Sequence, residues 1–244
     1  MSVFGATLEW FADPAHWSGP DGVPVRVEEH ALMSLAATAT AVALALPLGL
    51  LIGHWGKGAL LTVNVSNLGR AIPSFAILVI ALQLVGIGAK PAFLALVALA
   101  IPPILTNAVT GISQVSPELT DAARGLGMSE IRVLTRVEFP NATPLIMAGV
   151  RNAGVQVVAT ATLAALVAWG GLGRYIVDGL YQRDDAQVFA GAVLVAIMAG
   201  AAEFALAALQ WMVTPRGLRP KNSIKLLGTG RGQSTISAQE GIGN

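Results

Sequence analysis

Long uncharged runs alternate with short polar stretches along the chain. Ala31 to Gly53 covers 23 residues without a charge, enough to cross a hydrocarbon core that needs about 20. Pro91 to Thr110 is a second uncharged run. Pro144 to Ala168 is a third, interrupted only by Arg151, and Val188 to Val213 a fourth, interrupted only by Glu203. Ala59 to Gly86 is too long for one plain span and contains Pro73, which removes a helical hydrogen bond. This stretch predicts one helix, kinked or locally unwound at Pro73 where neighbouring helices shelter the freed backbone. The pattern therefore predicts an all-α polytopic membrane protein of five spans. Splitting the chain at Arg70-Ala71-Ile72-Pro73 gives a six-span alternative.

Composition reaches the same result independently. Hydrophobic residues make up 54% of the 244 and charged residues 12%, against about 25% charged in a soluble domain. Mean hydropathy is +0.66. A net charge of +1 gives no case for nucleic-acid binding, and the absence of cysteine excludes disulfide and thiolate chemistry. Residues 1–30 read as an N-terminal interfacial segment. Trp10, Phe11 and Trp17 cluster as aromatics do at a membrane surface, and acids outnumber Arg26, unlike a secretory signal. Residues 31–213 form the membrane domain, in contact with lipid. Residues 214–244 form a polar tail, expected to be disordered beyond about Gly228.

Basic residues set the orientation. With the N-terminus outside, Lys57, Arg124, Arg132, Arg136, Arg216, Arg219, Lys221, Lys225 and Arg231 fall inside. Only Arg26, Lys90, Arg174 and Arg183 fall outside. The bias predicts an external N-terminus and a cytoplasmic C-terminus.

The polar segment 116–143 carries the most specific signal. Ser116-Pro117-Glu118 opens a helix with a hydroxyl at the N-cap, proline at the first position and an acid near the positive dipole end. Ala122 and Ala123 keep one face small, suited to close approach of a partner, and Gly125 and Gly127 permit a sharp turn. Ser129 and Glu130 start a second helix carrying Ile131, Leu134 and Val137, which Pro140 and Pro144 are expected to end.

Asp121-Ala122-Ala123, three residues, Gly127, nine residues, then Val137-Glu138-Phe139-Pro140 resembles the coupling loop of ATP-binding-cassette (ABC) importer permeases. That family's pattern is Glu-Ala-Ala, three residues, Gly, nine residues, Ile-x-Leu-Pro; Asp121, Val137 and Phe139 are the departures. The resemblance implies a cytoplasmic helix pair seated in a groove of a separate ATP-hydrolysing subunit, passing that subunit's closure to the spans as rigid-body motion. Asp121, Ala122, Ala123, Arg124, Gly127 and Pro140 are the implied coupling residues. No Gly-x4-Gly-Lys-[Ser/Thr] phosphate loop occurs in the chain. ATP and Mg therefore belong to the partner, and this chain is expected to be no enzyme and to hold no cofactor.

Further strings resemble the osmoprotectant subgroup of these permeases: Trp17-Ser18-Gly19-Pro20-Asp21-Gly22, Glu29-His30, Pro47-Leu48-Gly49, Arg70-Ala71-Ile72-Pro73-Ser74, Thr160-Ala161-Thr162-Leu163-Ala164-Ala165-Leu166 and Gly170-Gly171-Leu172-Gly173. Ala168-Trp169 departs from the small residues usual there. The resemblance implies a bacterial inner-membrane permease that forms half of a pathway for glycine betaine, choline, carnitine or a proline-like solute. Its implied partners are an ATP-binding subunit, a second permease subunit (a homologous chain or itself, with the heterodimer favoured) and an extracytoplasmic solute-binding protein. In that subgroup an aromatic cage on the binding protein recognises the solute by cation–π contact. Methionine-type permeases share the plan, which leaves an amino-acid permease as an alternative.

Other residues keep two readings open. Arg151 and Glu203 are costly inside a membrane and mark a functional or pairing role. Glu203 could serve a proton-coupled secondary transporter, or fix packing by pairing with a hydroxyl or with Arg151. Asn107, Gln156, Thr160 and Thr162 are pathway-lining candidates, or hydrogen-bond between helices. Gly170-Gly171-Leu172-Gly173 would present Arg174 and Tyr175 to a docking protein, or simply turn the chain. Gly49 and Gly53 form a small-xxx-small face for close helix packing. His16, His30 and His54 lie apart in the sequence, so no metal site is expected.

Overall fold

The structure, a computed structural model, describes residues 2–219. The expected disordered tail lies almost wholly outside the described residues. Among those described, every regular element is helical.

A short helix α1 (Val3–Ala12) and a 3-10 turn (Pro14–Trp17) precede α2 (Val23–Trp55). At 33 residues α2 runs about 50 Å. It stops at Gly56, whose φ of 67° closes the left-handed cap. Helices α3 (Ala59–Ala71) and α4 (Ser74–Val85) follow and meet at an 86° bend. This break at Ile72-Pro73 is sharper than a kink. It also removes the six-span alternative: arms of 13 and 12 residues are each too short to cross alone. Four helices are long and apolar enough to span, or five spans if the bent pair counts as one.

Helix α5 (Ala89–Ser113) leads to α6 (Pro117–Gly125) and α7 (Glu130–Val133). Here a second expectation fails. Pro140 and Pro144 do not end the helix that starts at Glu130; it continues without a break to Val167. A π turn over Leu134–Glu138 joins α7 to α8 (Phe139–Thr160). The wider turn makes room for the Pro140 ring, which in a regular helix would meet the carbonyl four residues earlier. A 3-10 segment (Ala161–Val167), α9 (Gly173–Gln182) and α10 (Asp185–Val213) complete the bundle.

Small residues set the core. Ala37, Ala41 and Ala45 on α2 and Ala92, Ala100 and Ala108 on α5 are essentially inaccessible. Glycines take the tightest points. A Cβ on Gly49 would lie 2.6 Å from that of Ala108, and one on Gly53 would lie 2.7 Å from that of Ile112. The Gly49/Gly53 face is thus the α2–α5 contact, where backbones meet too closely for any side chain. Outward, Leu60, Leu84, Ile197 and Phe204 are exposed, as befits a surface solvated by lipid or covered by another subunit.

Candidate functional site

Between α5 and α8 the chain leaves the bundle and returns as the α6–α7 pair. Ser116 occupies the N-cap of α6, but its hydroxyl turns to the Glu118 carboxylate instead of capping a backbone N–H. At the other end Gly127 has φ +80°, its N–H donates to the Arg124 carbonyl, and Met128 N–H donates to the Ala123 carbonyl. This left-handed closure reverses the chain between the two helices.

The pair is tied by charge. Arg124 Nε and Nη2 lie 3.1 and 3.2 Å from the two Glu130 carboxylate oxygens, and Arg124 Nη1 lies 3.3 Å from Asp121. These contacts hold the Arg124 guanidinium above its ordinary value, the Glu130 hydrogen bonds contributing most. Of the two alanines, Ala123 is buried, on a helix that packs against α7 and the π turn, whereas Ala122 is exposed. The small outward face is therefore narrower than the sequence suggests. What sequence reasoning missed is the apolar rim around it. Leu126 and Ile131 at the turn are exposed to 84% and 75%, and Leu119, near the base of α6, to 49%. Exposed apolar side chains on a short ion-paired turn make a surface suited to a protein groove. Pro140 lies in the first turn of α8, beyond the π turn and away from this tip.

The remaining candidates are dispersed. Asn107 donates to the Pro103 carbonyl at 2.8 Å and packs where Gly149 gives way, in the α5–α8 contact. Gln156 is exposed on α8. Thr160 lines a small cavity with Ser74, Leu78, Ala92 and Leu96, and Thr162 donates to the Ala159 carbonyl at 3.0 Å. Arg151 Nε and Glu203 Oε1 lie 3.4 Å apart across α8 and α10. Arg151 also donates to Gln210 at 3.0 Å, and Gln210 in turn donates to the Pro144 carbonyl at 3.0 Å.

At the opposite end of the spans, Arg174 pairs with Asp178 at 2.8 Å. Tyr175 is buried, its hydroxyl donating to the Asp21 carbonyl at 2.7 Å, and burial pushes the phenol up to about 12. Tyr175 thus anchors the N-terminal segment, and Arg174 is the more accessible of the two. The same end contains contacts with no local sequence signal. Glu29 accepts from Gly171 N–H at 2.8 Å, and His30 Nε2 meets the Val158 carbonyl at 2.8 Å. From α2, Glu29 thus holds the turn that follows the 3-10 segment, and His30 holds the end of α8.

Helices long and apolar enough to span a membrane, with a short ion-paired helix pair projecting from one end, fit a membrane-embedded subunit. Residues 45–217 match the family described as the binding-protein-dependent transport system inner membrane component, and the chain belongs to that family, that of ABC transporter permeases. It is 37% identical over 195 residues to the carnitine transport permease protein OpuCB of Listeria monocytogenes, covering 80% of this chain and 89% of that one. It is 38% identical over 191 residues to the glycine betaine/carnitine/choline transport system permease protein OpuCB of Bacillus subtilis, covering 78% and 88%. In fold it is similar to a chain of the MetNI methionine ABC transporter solved in inward-facing conformations. The TM-score is 0.70 at 23% identity, over 83% of this chain and 99% of that one.

Proposed function

We propose that the chain forms half of the pathway of an ATP-driven importer for a compatible solute of the glycine betaine, choline and carnitine class. The observation that carries this reading is the α6–α7 loop: the turn at Gly127, locked by Arg124 and Glu130 and rimmed by Leu126 and Ile131. A separate ATP-binding subunit takes this loop, which places it on the cytoplasmic side and the N-terminus outside. A second permease subunit covers an exposed apolar face, and a solute-binding protein docks at the end that carries Arg174. The solute class rests on the relatives' own described substrates, at 37–38% identity to this chain. ATP and Mg bind on the partner.

Uptake of labelled glycine betaine, choline, carnitine and methionine by cells with and without the chain tests this. Uptake of a quaternary-ammonium solute should depend on the chain, stop on ATP depletion and survive a protonophore while ATP is maintained. Uptake confined to methionine would transfer the chain to the amino-acid importers. The proton-coupled alternative meets a direct test at Glu203, which already has Arg151 as its partner. Glu203→Gln should leave most of the uptake and its ATP dependence in place. Complete loss in that variant, together with collapse under the protonophore, would favour the alternative.

A further inference from the structure

His54 stands in the last turn of α2, at the end of an apolar helix, with only 4% of its side chain exposed. Its Nδ1 lies 2.6 Å from Glu138 Oε2, and its Nε2 lies 3.2 Å from Glu130 Oε2. Glu138 is itself almost fully buried, in the π turn that joins α7 to α8. Glu130 is the same carboxylate that receives Arg124 from α6. The side chains form one unbroken series: Asp121 and Arg124 on α6, Glu130 on α7, His54 on α2 and Glu138 in the π turn.

The chemistry of this series is specific. Ionised carboxylates only accept hydrogen bonds, so an imidazole set between two of them, with a polar nitrogen on each side of the ring, is a group that can link them. His54 Nδ1 is hydrogen-bonded to Glu138 and its Nε2 lies within ion-pair distance of Glu130, so one imidazole touches carboxylates on two different elements. Metal binding does not account for the cluster, because among the described residues no three such groups are arranged to hold an ion. Neither does stability alone. The cluster's exposed members, Asp121, Arg124 and Glu130, contribute little as surface pairs, and the buried His54–Glu138 contact is a weak source of net stability compared with apolar packing of the same volume. What the cluster supplies is directional: α2 packs along α5 over most of its length, through the contacts at Gly49 and Gly53. A pull on the loop that reaches His54 therefore reaches the centre of the bundle.

The geometry points to His54 as a positioning residue that transmits movement of the docking loop to α2, with Glu138 and Glu130 as its two attachment points. This deepens the proposed function and rests on it. The π turn suits the role, since such turns are local departures from regular hydrogen bonding where a helix can yield.

The test uses the full complex in proteoliposomes, with ATP hydrolysis and solute uptake measured together. In His54→Ala the solute moved per ATP hydrolysed should fall by about fivefold or more, the lower end of a coupling free energy between two sites. ATP hydrolysis should fall much less. His54→Arg, whose planar fork can donate to two carboxylates, should restore most of the ratio. Glu138→Gln keeps the volume and removes the charge; it should lower the ratio as His54→Ala does, and it replaces that variant if the alanine form fails to fold. A wild-type ratio in His54→Ala and Glu138→Gln, or a parallel loss of hydrolysis and uptake, overturns the link alone. Absence of ATP-driven uptake in the wild-type complex overturns the functional reading beneath it.

Discussion

Gly127→Leu should abolish uptake while leaving the permease folded and abundant in the membrane. The position has φ +80°, and a Cβ built there meets nothing within 4 Å. The substitution therefore causes no clash, only backbone strain, of about 1–2 kcal/mol for an L-residue held left-handed. The exposed ion pairs that brace the turn are weak opponents to that strain, since surface pairs contribute little. The turn should relax, and the angle between α6 and α7 should change with it. A rigid docking element misplaced by about 1 Å loses most of its function where fit to a partner matters. Gly127→Asn is the discriminating companion, because asparagine visits the left-handed region at lower cost. It should retain a large part of uptake. Equal loss in both variants, or normal uptake in Gly127→Leu, would show that the backbone angle is not what matters there. Uptake and membrane abundance, measured on the same cells, give the answer.

The second large effect is at Gly149, and it is of the opposite kind. A Cβ there would lie 2.6 Å from that of Asn107 and 2.8 Å from the Pro103 carbonyl oxygen. The obstacle is backbone and Cβ on a facing helix, so no side chain can rotate away. Gly149→Ala should cost about 1–3 kcal/mol, the usual penalty for overpacking a tight core. Gly149→Leu should prevent accumulation of folded protein altogether. Thermal unfolding in detergent for the alanine variant, and membrane abundance for the leucine variant, check this. Gly125 supplies the contrast: it is helical with open space around it. Gly125→Ala, at the last position of α6, should leave the bundle unaffected and favour the helix by less than the roughly 0.5–1 kcal/mol of a mid-helix site. If Gly149→Ala is as stable as wild type, the α5–α8 contact is looser than described.

Much of this architecture is readable in the chain. The four uncharged runs correspond to α2, α5, the helix through α8 and α10, because hydropathy over about 20 residues is a local property. The loop at Asp121 is readable for the same reason: capping, small residues and a turn glycine all act within a few positions. Two things escape. The first is the fate of Pro140, where proline reads as a helix end and the π turn carries the helix past it. The second is every contact between distant segments. His54 and Glu138 lie 84 positions apart, and His30 and Val158 lie 128 apart. Each of these side chains has a bland local setting. His54 reads as the polar end of an apolar span, and Glu138 is the unspecified position within Val137-Glu138-Phe139-Pro140. Tyr175 reads as a residue that the Gly170-Gly171-Leu172-Gly173 turn presents outward, yet the N-terminal segment folds over it. The apolar rim of the loop was visible as letters, but the exposure of Leu126 and Ile131 depends on which way the turn at Gly127 points.

We propose that an ATP-binding subunit grips the tip of the α6–α7 loop. The chain contains no cysteine, so Leu126→Cys carries a unique thiol for a photo-crosslinker, and Leu180→Cys places the same label on exposed α9 at the other end of the spans. Crosslinking in native membranes should attach a protein bearing a nucleotide phosphate loop to the first variant and not to the second. Capture of no such protein from Leu126→Cys, or equal capture from both positions, would contradict the account.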